Sequence, residues 1–161
     1  MTHTSDIKVL GIDQSFTSTG WWFGDDRNGI ITSDKSLDKF TRMKQVADSV
    51  SSLCDSLSAT HVVLEGLPFM SRSNVTRDLA GLQAVILVEL LDRYEIDNTV
   101  IIIPPTSLKK YATDSGRATK TDMINSVPKE IRDKFTATGK SREDLADAYW
   151  LCSLGYDKFQ N

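Results

Sequence analysis

Ile7-Lys8-Val9-Leu10-Gly11-Ile12-Asp13 is an apolar run closed by a carboxylate. It predicts a buried first strand that carries an acid to the rim of a sheet. Ser18 to Gly24 reads as a second strand and Gly29 to Ser33 as a third, with Asp25-Asp26-Arg27-Asn28 as the polar turn of a hairpin. Leu37, Phe40, Met43, Val46, Val50, Leu53 and Leu57 then recur at three- and four-residue steps, the apolar face of a helix. Val62 to Leu64 is a short strand ending at Glu65-Gly66, and a second helix runs from about Asn74 to Tyr94. Val100 to Ile103 is β-branched throughout and stops at Pro104-Pro105, which predicts a fully buried strand. Pro105 opens a short helix through Tyr111, a further short helix follows the polar stretch from Thr113 to Thr121, and Ser141 starts a last helix to about Phe159. Ser141-Arg142-Glu143-Asp144 resembles a capping box, with Asp for the usual Glu or Gln. Strands separated by helices pair in parallel. The fold class predicted is α/β: a mixed five-stranded sheet, three antiparallel strands then parallel ones, with helices on both faces.

The 161 residues fit one domain, spanning 1–161. No window approaches the ~20 consecutive apolar residues of a membrane helix. The first six residues lack a basic-then-apolar signal, so a cytoplasmic protein is expected, in the bacterial host if the chain is phage-encoded. Cys54 and Cys152 fall at apolar helix positions and read as buried free thiols. Two histidines and two scattered cysteines cannot build a zinc site of ordinary spacing. A bound metal would need oxygen ligands, which suits magnesium or manganese.

Four acids stand out. Asp13 closes the first strand and Glu65 the fourth, at the sheet rim where open α/β sheets bind ligands. Asp144 and Asp147 lie three residues apart on one face of the last helix. Singly, each has a plain alternative: Asp13 a turn residue, Glu65 a solvated strand end, Asp144 a charge favoured by the helix dipole. Asp147 is harder to dismiss, because Ala148-Tyr149-Trp150-Leu151 turns its surroundings toward the core. Converging carboxylates need cations, and two ions roughly 4 Å apart can drive phosphodiester hydrolysis.

A net charge of −3 argues against a nucleic-acid partner until it is resolved along the chain. Pro104 to Lys140 holds eight basic residues against four acidic ones, a local +4, and leaves −7 elsewhere. Lys109, Lys110, Arg117 and Lys120 belong to this segment, although its later cations also fit a solvated helix surface. Arg72 and Arg77, among small polar residues at a helix start, suit phosphate contacts, and Phe69 beside them suits stacking on an opened base or half-buried packing.

These residues together resemble the RuvC-type Holliday junction resolvases of the ribonuclease H-like nucleases. Gly11-Ile12-Asp13 with Thr19-Gly20 resembles the family's first-strand motif, and Glu65 followed by Phe69-Met70 its second. Ala80-Gly81-Leu82-Gln83 falls in the long helix, Lys109 to Lys120 resembles the basic segment, and Asp144-Leu145-Ala146-Asp147-Ala148 the final motif. The resemblance implies a homodimer that binds a four-way DNA junction and nicks opposed strands symmetrically, in DNA recombination and repair. It implies two Mg²⁺ or Mn²⁺ ions held by Asp13, Glu65, Asp144 and Asp147, with Lys120 supporting the phosphate and Lys109 contacting DNA. Gln14-Ser15 stands where the family has Pro-Gly, and Glu65 to Phe69 is one residue longer than in the bacterial form, departures expected of a phage-like branch. A broader branched-DNA or flap nuclease of the same fold is the alternative. An actin-like ATP-binding protein fits Gly11 to Gly20 only weakly, and needs two such domains.

Overall fold

The computed structural model describes residues 6–68 and 73–161. Phe69 and Arg72 lie outside the described residues. The sheet contains β1 (Val9–Asp13), β2 (Thr19–Phe23), β3 (Arg27–Ile31), β4 (His61–Glu65) and β5 (Val100–Ile103), in the order β3-β2-β1-β4-β5. β1–β2 and β2–β3 pair antiparallel, and β1–β4 and β4–β5 pair parallel. The helices are α1 (Lys39–Leu57), α2 (Asn74–Leu90), α3 (Pro105–Thr113), α4 (Lys120–Ser126), α5 (Lys129–Arg132) and α6 (Ser141–Gln160). The expected fold class is the one observed.

The period of two along each strand sorts side chains between two apolar layers. Leu10, Ile12, Val62 and Leu64 join Met43, Val46, Val50, Leu82 and Ile86 under α1 and α2. Val9, Trp22 and Val63 join Leu108, Met123, Ala148 and Leu151 under α3, α4 and α6. Trp21 and Trp22 therefore part to opposite faces, as adjacent strand residues must. The same alternation turns Asp13 and Glu65, each the last residue of its strand, toward the α6 face. Because Ile12 pairs with Leu64, the two acids end adjacent parallel strands side by side.

α6 reaches this face because two glycines let its backbone lie against the sheet. A Cβ on Gly11 would stand 2.3 Å from the carbonyl oxygen of Ala148 and 2.6 Å from the nitrogen of Cys152. One on Gly20 would stand 2.5 Å from the carbonyl oxygen of Asp144. Any side chain at either position would lift the helix and its acids off the strands.

Several sequence readings are corrected. The hairpin turn is shorter than expected: β3 begins at Arg27, Gly24 takes φ +65°, and Asn28 is buried, donating to the Asp26 and Lys134 carbonyls and accepting from the Thr136 backbone. β5 is an edge strand rather than a fully buried one, with Ile102 38% exposed. Phe40 lies in the first turn of α1 and is 73% exposed despite fitting the apolar period. The capping box belongs to α4, where Thr119 and Asp122 bond each other's backbone, and not to Ser141 and Asp144. Gly81 approaches α1, where a Cβ would stand 2.8 Å from Met43 Cε. Cys54 and Cys152 are buried free thiols. Among the described residues no helix is long and apolar enough to cross a membrane.

Candidate active site

Carboxylate oxygens of Asp13, Glu65 and Asp147 lie within 4.8 Å of one another. They come from β1, β4 and α6, so the fold and not the sequence brings them together. A cavity of about 330 Å³ opens over them and is also lined by Asp144, Glu143, Lys109 and Lys120. Asp144 stands beside the group of three, its Oδ2 accepting a 2.6 Å hydrogen bond from Ser18 Oγ in the β1–β2 loop. That bond explains why Asp144 does not cap α6: its carboxylate is turned across the sheet rim. Ser141 Oγ stands 3.4 Å from Ser18 Oγ, on the same side.

Burial and mutual repulsion hold these acids above the ordinary carboxylate range. Asp13 is raised first by burial, then by the charges of Glu65, Asp147 and Asp144. Burial lifts Glu65 to about 7 against the opposing pull of Lys109 and Lys120. Asp147 is lifted to about 8 by burial and then by Glu65 and Asp144. Asp144 is also raised by burial, with the Ser18 hydrogen bond opposing. An all-oxygen donor set of clustered acids whose charges oppose each other suits a hard divalent cation, which would relieve the repulsion that the two lysines only partly offset.

The cations divide by position. Lys109 on α3 is half-buried and lines the cavity. Lys120, the first residue of α4, has Nζ 3.1 Å from Glu143 Oε2, and that hydrogen bond raises its pKa. Lys110 and Arg117 are exposed on and after α3, and Arg77 is exposed on α2; none of the three lines the cavity. Lys129, which the sequence could equally make surface decoration, pairs with Asp133 one turn along.

Two glutamines escaped the sequence reading. Gln14 Nε2 donates to the Glu65 carbonyl at 2.7 Å and Gln83 Nε2 to the same oxygen at 2.9 Å. Both side chains are buried. Glu65 is where β4 leaves the sheet, so its carbonyl needs donors from outside the ladder, and two carboxamides supply them. Gln83 carried a readable signal: it falls on the buried face of α2 with Leu82, Ile86 and Leu90. Gln83→Leu is expected to cost about 1–2 kcal/mol in denaturant unfolding, since the carbonyl loses a buried partner.

No family model matches the chain. Crossover junction endodeoxyribonuclease RuvC of Prochlorococcus marinus (strain MIT 9313) is 26% identical over 158 residues, covering 93% of this chain and 98% of that one. The structure of Thermus thermophilus RuvC superposes with a TM-score of 0.71 at 17% identity, covering 95% of this chain and 94% of that one. T. thermophilus RuvC in complex with Holliday junction substrate gives 0.69 at 17% identity, covering 95% and 93%. The resemblance read from the motifs thus extends over nearly the whole chain, and the fold is the RuvC fold.

Proposed function

We propose that this chain is a RuvC-type Holliday junction resolvase, a metal-dependent crossover junction endodeoxyribonuclease formed by one domain over residues 1–161. The observation that carries the reading is the convergence of Asp13, Glu65 and Asp147 from three separate elements into one pocket bordered by lysines. Full-length similarity to RuvC chains, one of them solved with Holliday junction substrate, supports four-way DNA as the substrate.

Asp13, Glu65 and Asp147 would hold the divalent ions, two Mg²⁺ per site with Mn²⁺ as a substitute, and Asp144 would complete the set from its place beside Ser18. Ions held there would supply Lewis acidity for hydrolysis of a phosphodiester. Lys120 lies at the mouth of the pocket, where its ammonium offsets charge growing on the phosphate oxygens. Lys109 draws the strand in from the cavity wall, and Lys110, Arg117 and Arg77 bind phosphates farther out. Phe69 is assigned to the junction centre by resemblance, and Arg72 to phosphate contacts from its sequence setting among small polar residues. The partner copy needed for paired nicks docks on the outer face of α2, where Ala80, Ala84, Val88 and Leu91 are exposed at helical spacing.

The test is cleavage of a synthetic four-way junction, a flap and a linear duplex, with and without Mg²⁺. Symmetric paired nicks in the junction, dependent on Mg²⁺, are expected. Flap and duplex cut as fast as the junction would replace this reading with a broader branched-DNA nuclease.

A further inference from the structure

Glu143 belongs to none of the motifs that carry the resemblance, yet it is the acid that engages the rim lysine. Its side chain is 27% exposed and that of Lys120 72%, with 3.1 Å between Oε2 and Nζ. The acid is held by the first turn of α6, while the ammonium stands largely in solvent over the cavity that both residues line. A lysine ammonium is a compact charge on a flexible four-carbon stem, and nothing in the stem itself fixes where it rests. Two resting places would harm catalysis. Drawn in among the clustered acids, the ammonium would neutralise the charge that a cation needs. Swung outward, it would miss the phosphate.

We propose that Glu143 is a positioning residue: it holds the Lys120 ammonium at the mouth of the carboxylate pocket, short of the metal-binding oxygens, and releases it to the phosphate of an arriving strand. This inference rests on the nuclease reading above. A largely solvated ion pair shifts populations only several-fold, so it can be exchanged for a phosphate that offers charge-assisted bonds of its own. The ammonium has three donors, so the phosphate can be engaged before Glu143 is released.

Two measurements test it. The first is lysine-selective ¹⁵N NMR of the metal-free protein, with the Lys120 signal assigned by its loss in Lys120→Ala. Glu143→Gln is expected to move that signal more than any other lysine signal, and an unmoved signal overturns the tether. The second is a double-mutant cycle read as junction cleavage at saturating protein with Mg²⁺. Glu143→Gln should slow cleavage roughly fivefold while junction affinity stays within about twofold, and should slow Lys120→Ala no further. A fivefold loss that persists in the Lys120→Ala background overturns the proposal, because Glu143 would then act on the metal or on Asp144 directly. If the parent chain leaves the junction uncut, the nuclease reading and the release step fail together, while the tether is still decided by the NMR signal.

Discussion

Asp147→Asn is expected to slow junction cleavage by on the order of 10³-fold and, at the same time, to make the metal-free protein more heat-stable at pH 8. The two effects share one cause. Asp147 is held near pKa 8 and Glu65 near 7, so the native state keeps protons that the unfolded chain gives up near pH 4. Between those limits the folded state binds more protons, and stability falls as pH rises. At pH 8 the metal-free pocket holds charge against its own tendency, at a cost on the order of a few kcal/mol. For a chain of this size that is about 5–10 °C in Tm. The asparagine variant removes one repelling charge and recovers part of this. Calorimetric scans at pH 5 and pH 8, with and without Mg²⁺, check the claim. The gap between parent and variant should be small at pH 5, where native Asp147 is protonated and only the unfolded chain has given up its proton. The two should separate at pH 8, the variant higher, and Mg²⁺ should raise the parent far more than the variant. A variant less stable than the parent at pH 8 would mean that Asp147 is paired and not repelled.

Gly11→Ala carries the second large effect, and it is a change of one methyl group. The added carbon would stand 2.3 Å from a backbone oxygen and 2.6 Å from a backbone nitrogen of α6. No side-chain rotation relieves a clash with backbone, so the helix must move. Overpacking of this kind costs about 1–3 kcal/mol, and the upper end is expected here because two backbone atoms are involved. Chemical denaturation should report the loss directly. Cleavage should fall beyond what stability explains, since a lifted α6 carries Asp147 away from Asp13 and Glu65. Wild-type stability and activity in Gly11→Ala would show that α6 does not need this contact.

The apolar runs made the strands, their pairing senses and the acids at their ends readable. Val9, Gly11 and Asp13 share one face, as do Val63 and Glu65, and that period of two is why acids far apart in sequence converge. What escaped reading depended on neighbours that no local pattern specifies. Ile102 looks as buried as Ile103, but β5 lies at the edge of the sheet, and edge position is a property of topology. Ser141 and Asp144 have the spacing of a cap, but Ser18, more than a hundred residues earlier, competes for the carboxylate. Gln14 and Gln83 act on a backbone carbonyl, a partner that leaves no mark in side-chain composition. Glu143 was hidden for a related reason: a half-buried acid beside two better-placed aspartates acquires meaning only from the lysine opposite.

The packing of α6 on β1 also sets an order of events during synthesis. β1 is the middle strand, and the surface formed by Val9, Gly11, Trp22 and Val63 is covered by α6, which is made after the whole sheet. Until the ribosome has released α6, that apolar surface is open and the carboxylate trio lacks Asp147. Such distant pairings form slowly, and the exposed sheet face is prone to aggregation meanwhile. The same delay is protective, for no cation-binding pocket exists on a nascent chain that has not yet made α6, and the acid set closes only on the finished sheet.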